Sequence, residues 1–498
     1  MEKKKVIVIG AGIAGLTAGI YLLDNGFDVT IYEKHTVPGG ECTGWRRDGL
    51  FIDGCAHWIV GTNKNSELYP LWKHIGAIND DSIIHNTEFF TKLDINGEII
   101  TIYSDLNKLY NELTRIAPED KKIINKFIKG IKSYSHVLIP VEKPIDYMNI
   151  FELTKYGFHS LPMLSSYLKY HRMSVQKFAS KCKSKTLKRI FCSILSTNYN
   201  MHSLLYTMQA LAKNDAGIVE GGSLALALRV KDKFTSLGGK IVFDSNVNRI
   251  NIFKNKATSI TLNNGEIINA DYIVPACDIH YTLFNLLDNK YNIPFINNKF
   301  EDVNKYPLCQ AMLCSYKINK DISMYPKMVQ FDIMPIKIHE EVISNITLRN
   351  YSFDNKLNTS STCVTVLIQV KDSLYDYFKG LSKEDYIKEK NRIGNEVLNH
   401  LIRYYKLDKD DAKLIDVTTP LTYERYCNAY RGSYMSFITS KDSKGLMHSG
   451  KIKGLKNVIL AGQWLMPPGG LPIALFTGKH AAMRICKLNK IKFKNLEN

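Results

Sequence analysis

Val6-Ile7-Val8-Ile9 runs directly into Gly10-Ala11-Gly12-Ile13-Ala14-Gly15, followed by an apolar segment that ends near Asn25-Gly26. An apolar strand, a G-x-G-x-x-G turn and a helix in this order form the fingerprint of a dinucleotide site. Gly10 permits the tight turn, Gly12 lets the backbone approach a pyrophosphate, and Gly15 lets the helix pack closely on the strand. The positive end of the helix then attracts phosphate charge. A second strand, Asp28-Val29-Thr30-Ile31-Tyr32, delivers Glu33, which stands 33 − 15 = 18 residues past Gly15, with Lys34 beside it. A carboxylate there accepts a hydrogen bond from a ribose 2′-hydroxyl and repels a 2′-phosphate.

The fingerprint alone does not choose between a flavin and a nicotinamide dinucleotide. Gly39-Gly40, followed by Glu41, supplies a second close approach of backbone to ligand, as an extended flavin dinucleotide requires. Two later segments have the same character. Gly221-Gly222-Ser223 opens a helix to about Leu237, followed by Gly238 to Phe243, Val247 to Ile250 and an Asn263-Asn264-Gly265 hairpin turn. Near the C-terminus a strand from Asn457 is expected to end at Gly462-Gln463. The loop Pro467-Pro468-Gly469-Gly470 and Leu471-Pro472-Ile473 then start a helix that runs to about Lys487. Ala474, Gly478 and Ala482 recur every four residues, as Ala14 and Ala18 do on the first helix, which gives two small-residue faces suited to close packing. No second G-x-G-x-x-G appears, so no separate nicotinamide domain is expected.

The elements that must carry these residues fall into an interleaved pattern. Strand and helix signals of an α/β kind occupy 1–75, 215–285 and 450–498, which read as one discontinuous nucleotide-binding domain. Segments 76–214 and 286–449 read as an inserted α+β substrate domain. Within the first, 105–214 is helical, with Leu161–Leu168 and Leu204–Leu211 as its most apolar pieces; the second has β-rich runs at Cys309–Ile318 and Cys363–Val370, then a charged helix over Lys383–Tyr405. The 498 residues are 45% hydrophobic and 23% charged, which excludes a disordered or fibrous chain. The net charge of +18 raises the question of an anionic partner. No basic run exceeds Lys3-Lys4-Lys5, however, and no nucleic-acid motif accompanies it, so no nucleic acid is expected. The ten cysteines include no Cys-x-x-Cys pair and no zinc-like partner, so they read as reduced thiols of a cytoplasmic protein without metal. No stretch is apolar enough to span a membrane.

In its fingerprint with Glu33, its Gly39-Gly40 doublet and its Phe51-Ile52-Asp53-Gly54 element, the chain resembles the FAD-dependent amine-oxidase-like superfamily. Within it, the resemblance is to the branch of phytoene desaturases, carotenoid isomerases and retinol saturases. The resemblance implies a Rossmann-type, glutathione-reductase-like FAD-binding domain. It also implies that Gly10 to Gly15, Glu33, Lys34, Gly39, Gly40, Glu41, Val247, Gly462, Gln463, Gly470, Pro472 and Ile473 surround FAD, with the last helix aimed at the flavin. The family usually carries Arg after the two glycines. Glu41 stands here instead, with Arg46 and Arg47 as candidates to compensate. No Ser/His/Asp or Cys/His set is evident, so the catalytic residues stay open; His57, Trp58 and Tyr426 are candidates for the pocket. The implied activity is desaturation, saturation or isomerisation of C–C bonds in an apolar, isoprenoid or polyene substrate. Rivals are a flavin amine oxidase and a non-catalytic lipid-binding carrier on the same fold. The cationic, Leu- and Tyr-rich stretch around 150–195 is expected to rest on an anionic membrane, through Lys181, Lys183 and Lys185 among others.

Overall fold

The computed structural model describes residues 3–55, 58–86, 88–95, 97–136, 139–358, 360–443 and 447–497. In chain order the strands are β1 (Lys5–Ile9), β2 (Asp28–Tyr32), β3 (Gly44–Arg47), β4 (Leu50–Asp53), β5 (Ile59–Val60), β6 (Ile84–His85), β7 (Phe89–Ile95), β8 (Glu98–Tyr103) and β9 (Ala216–Val219). They continue with β10 (Lys240–Val242), β11 (Val247–Phe253), β12 (Lys256–Leu262), β13 (Ile267–Asn269), β14 (Tyr272–Pro275), β15 (Gln310–Ile318), β16 (Met328–Ile338), β17 (Glu341–Asn350), β18 (Thr362–Val370) and β19 (Ala412–Thr418).

β1 lacks polar–apolar alternation because both of its faces are covered, as in parallel sheets generally. It lies between β2 and β14 in a parallel sheet of order β10-β2-β1-β14, with Val6 level with Val29 and Tyr272. The helix Ile13–Asp24 covers one face and packs against the C-terminal helix Leu471–Leu488 through the small residues noted above. A Cβ added at Gly478 would lie 2.5 Å from the Ala14 carbonyl oxygen, so the two backbones nearly touch there.

The strand expected over Asn457–Gly462 is not a regular one. The segment runs parallel beside β14, with Ile273 N–H donating to the Asn457 carbonyl and Ile459 N–H to the Ile273 carbonyl, but it forms only isolated bridges. Pro275 has no N–H to give to Ile459, so the ladder breaks at that point and resumes only with Ala461 N–H on the Pro275 carbonyl.

A second, seven-stranded sheet has the order β19-β15-β18-β17-β16-β7-β8; its pairs are antiparallel apart from β16 with β7. The helix Lys383–Tyr405 begins with the Ser382 side chain accepting from Asp385 N–H. It buries Ile393, Val397, Leu401 and Tyr405 with the apolar side chains of that sheet. β9 forms a separate three-stranded sheet, pairing with β5 on one side and β6 on the other. The helical segment closes its own core around Leu109, Phe127, Ile190, Phe191 and Leu204.

The helix Ile150–Tyr170 stands apart: Tyr170 is its one fully buried residue, and the apolar piece Leu161–Leu168 leaves Leu161, Leu164 and Leu168 exposed. Among the described residues no helix is long and apolar enough to cross a membrane. All ten cysteines are free thiols.

Candidate active site

The end of β1 turns at Gly10, whose N–H donates to the Tyr32 carbonyl, and Gly12 caps the helix that follows without any side-chain hydrogen bond. The first N–H groups of that helix are therefore left for a ligand. Gly15 fits because a Cβ there would stand 2.0 Å from the Gly10 carbonyl oxygen. At Gly12 a Cβ would meet only the Gly39 oxygen, at 3.7 Å, so its other side is open space. Gly39 closes the cradle from above: its N–H donates to the Ala11 carbonyl, it bridges Gly12, and its φ of +114° suits glycine.

Glu33 is buried at the end of β2. Its Oε2 accepts from Ala11 N–H at 2.6 Å and its Oε1 from His35 N–H at 2.8 Å. Burial pushes this carboxyl up, and the two N–H groups oppose that shift. Lys34 Nζ donates to the Arg425 carbonyl and to Asn428 Oδ1, so its ammonium ties the end of the helix Pro420–Cys427 to the cradle. The Val247 carbonyl accepts from the Tyr281 hydroxyl.

These groups line one cavity of about 1600 Å³. All the expected cofactor residues border it except Ala11, whose N–H is turned to Glu33, and Gly15, which packs beneath Gly10. A single drug-sized ligand occupies roughly 300–1,000 Å³, so this space accommodates a dinucleotide together with a second molecule. The open face of Gly12, the uncapped helix start and the carboxylate at the end of β2 fit FAD.

The C-terminal glycine loop and the Gly-Gly turn meet through Gln463. Its Oε1 accepts from Gly470 N–H at 2.9 Å and its Nε2 donates to Glu41 Oε2 at 2.7 Å. Glu41 has no cationic partner among the described residues. The expected compensation is not found: Arg46 is exposed and Arg47 pairs with Asp416. Burial pushes the Glu41 carboxyl up to about 8, despite the Gln463 hydrogen bond, and neighbouring Asp278 adds to the rise. Asp278 is itself raised to about 6 by burial, although it accepts from Tyr281 and Tyr430 N–H. The chain thus places a neutral acid near pH 7 where the resemblance implies a cation.

Two of the three pocket candidates, Trp58 and Tyr426, border the cavity. His57 lies outside the described residues. Trp58 lines the cavity with its ring edge-on to Phe90, 5.0 Å between centroids. Tyr426 borders the Glu33 end, 46% exposed and edge-on to His35. Three residues earlier, on the same helix, Tyr423 faces the cavity more deeply, and burial raises its hydroxyl. Helical spacing places Tyr423 and Tyr426 on one side, but only the packed structure tells which is inside. Sequence reasoning also missed Arg349 on β17, a cavity-wall residue with 6% exposure. The available signal was a cation inside a strand that buries its neighbours Leu348 and Asn350.

The model of the flavin containing amine oxidoreductase family matches residues 13–486. The chain is 22% identical to 4,4'-diaponeurosporene oxygenase of Staphylococcus haemolyticus (strain JCSC1435), covering 97% of each chain. It is 23% identical to the chloroplastic prolycopene isomerase of Daucus carota, covering 96% of this chain and 79% of the relative. Among solved structures, an oxidoreductase from Methanosarcina mazei superposes with a TM-score of 0.60 at 14% identity, over 97% of this chain and all of the other. Cyclohexylamine oxidase from Brevibacterium oxydans IH-35A gives a TM-score of 0.59 at 14% identity, over 98% of this chain and all of the other. The chain shares their mixed α/β fold, belongs to the flavin containing amine oxidoreductase family and is an FAD-dependent oxidoreductase.

Proposed function

We propose that this enzyme acts on the carbon–carbon bonds of an apolar polyene of isoprenoid type, by desaturation, saturation or isomerisation. The observation that carries the reading is the continuity of the cavity. The cavity bordered by the glycine cradle, Glu41 and Gln463 is also walled by Trp58, Phe90, Met163, Leu195 and Met328. Such a wall suits a long hydrocarbon chain, and the names of the two curated relatives refer to polyenes of that kind.

In this reading the Gly10–Gly15 turn and the helix start hold the pyrophosphate and Glu33 holds the ribose. Gly39, Gly40 and Val247 pack along the ligand, while Gly462, Gln463, Gly470, Pro472 and Ile473 close over its far end. Bound FAD supplies two-electron chemistry at a carbon–carbon bond. The apolar wall excludes water and orients the polyene.

The architecture that goes with this reading is a Rossmann-type, glutathione-reductase-like FAD domain built from 1–75, 215–285 and 450–498, with a substrate domain from 76–214 and 286–449. Its support is that the parallel sheet draws its strands from the first set of segments, whereas the seven-stranded sheet draws its strands from the second.

The same reading places the enzyme in the cytoplasm, resting on an anionic membrane through the helix Ile150–Tyr170. Tyr156, Ser160, Met163 and Tyr167 on one side of that helix line the cavity. The other side exposes Phe151 (80%), Phe158 (71%), Leu168 (63%) and Leu161. An apolar helix face left open to solvent marks an interaction surface, and here it backs onto the cavity, which gives a lipid-borne substrate a short route in. Lys181, Lys183 and Lys185 are exposed on a neighbouring segment rather than on this helix. The test is to mix FAD-loaded protein, with the flavin oxidised in one arm and reduced by dithionite in the other, with polyene extracts under anaerobic conditions and analyse the lipids by chromatography. Altered double-bond number or geometry supports the reading, and unchanged polyenes refute it.

A further inference from the structure

Arg349 is a buried cation on the cavity wall that makes no ion pair among the described residues. Backbone pairing places it opposite Met328 on β16 and Thr365 on β18. Its Nε is fully buried and makes no hydrogen bond among the described residues. The carboxylate that acts on it is Asp53, which lies beyond ion-pair distance. Asp53 is occupied by Cys55 N–H, Ser223 N–H and the Ser223 hydroxyl. Gln330, one register step away through its pairing with Thr347, borders the same cavity and leaves its Oε1 without a partner. Thr347, Gln369 and Tyr434 border the same cavity and add polar side chains beside Arg349 and Gln330. An unpaired guanidinium inside a protein is costly, and a buried cation normally has a counter-charge. Among the described residues no side chain provides one here.

We propose that Arg349 receives a carboxylate at one end of the substrate, so that the ligand is an amphiphile, a polyene chain with an acidic terminus, rather than a plain hydrocarbon. This inference rests on the polyene reading above and narrows it. The planar fork of the guanidinium suits a carboxylate in two parallel hydrogen bonds, and the remainder of the chain lies along the apolar wall.

The experiment titrates FAD-loaded protein with all-trans-retinoic acid, its methyl ester and retinol as probes, following flavin fluorescence at neutral pH. A charged hydrogen-bonded pair contributes roughly 1.5–3 kcal/mol, which corresponds to about ten- to hundredfold tighter binding of the acid than of the ester. R349M should abolish that preference while leaving retinol affinity unchanged, and R349K should restore part of it. Equal affinity of wild type for acid and ester overturns the inference, as does an R349M protein that loses all three ligands alike. The acid–ester comparison on wild type decides the matter even where R349M fails to fold. If the ester and retinol bind as well as the acid, the carboxylate inference fails and the polyene reading stands; if none of the three binds, the polyene reading fails with it.

Discussion

Glu41→Gln removes a proton-binding site without changing the shape of the side chain. The Glu41 carboxyl is lifted from 4.5 to about 8 in the fold, chiefly by burial. At about 1.4 kcal/mol per pKa unit, a lift of that size corresponds to about 5 kcal/mol of pH-linked stability. The sign follows from which state holds the proton. Below pH 4.5 both the folded and unfolded chains carry a neutral acid, and wild type should match E41Q. Between pH 4.5 and about 8 the unfolded chain gives up its proton while the fold keeps it, so wild-type stability falls relative to E41Q. Above about 8 the difference is constant. Urea unfolding of the FAD-free proteins at half-unit intervals from pH 4.5 to 9 measures this directly. Asp278 titrates nearby and its charge raises Glu41, so the difference includes the coupling between the two carboxyls. A difference that stays flat across that range would refute the assignment of a neutral, unpaired acid at this position.

The two fingerprint glycines should respond differently to a larger side chain. G12V places its side chain in open space and should give a folded, colourless protein, whereas even the Cβ of G15V meets the Gly10 carbonyl and should destabilise the fold by at least 1–3 kcal/mol; circular dichroism with flavin absorbance separates the two. E33A removes the acceptor for Ala11 N–H and for a ribose hydroxyl, and should weaken FAD binding by about 1–3 kcal/mol in a fluorescence titration while the protein stays folded. Replacing Phe151, Phe158 and Leu168 together by Ser should leave FAD content intact and sharply reduce sedimentation with anionic vesicles; unchanged sedimentation would remove the helix Ile150–Tyr170 from the membrane contact.

The parts of the site legible in the sequence are those set by local backbone chemistry. The Gly10–Gly15 turn between an apolar strand and a helix, Glu33 at the end of the next strand, and Gly39-Gly40 each carry their own geometric reason. The helix Lys383–Tyr405 was legible for a similar reason, since its charged face and apolar spacing are properties of the segment alone. What was not legible depended on partners distant in sequence. The irregular pairing of Asn457–Ala461 is decided by the missing N–H of Pro275, on a strand about 180 residues earlier. The outward side of Ile150–Tyr170 could not be read, because both of its sides are apolar or aromatic and only the position of the cavity distinguishes them. The burial of Arg349 depends on β16 and β18, whose strands flank it from other parts of the chain.

The most direct test is an anaerobic reaction of FAD-loaded protein with a panel of polyenes and simple amines, following both the visible flavin band and the lipid products. At least one polyene should exchange electrons with the flavin or emerge with altered double bonds, G12V protein should give no such product, and amines should leave the flavin oxidised. Flavin bleached by amines, with every polyene recovered unchanged, would contradict the polyene reading.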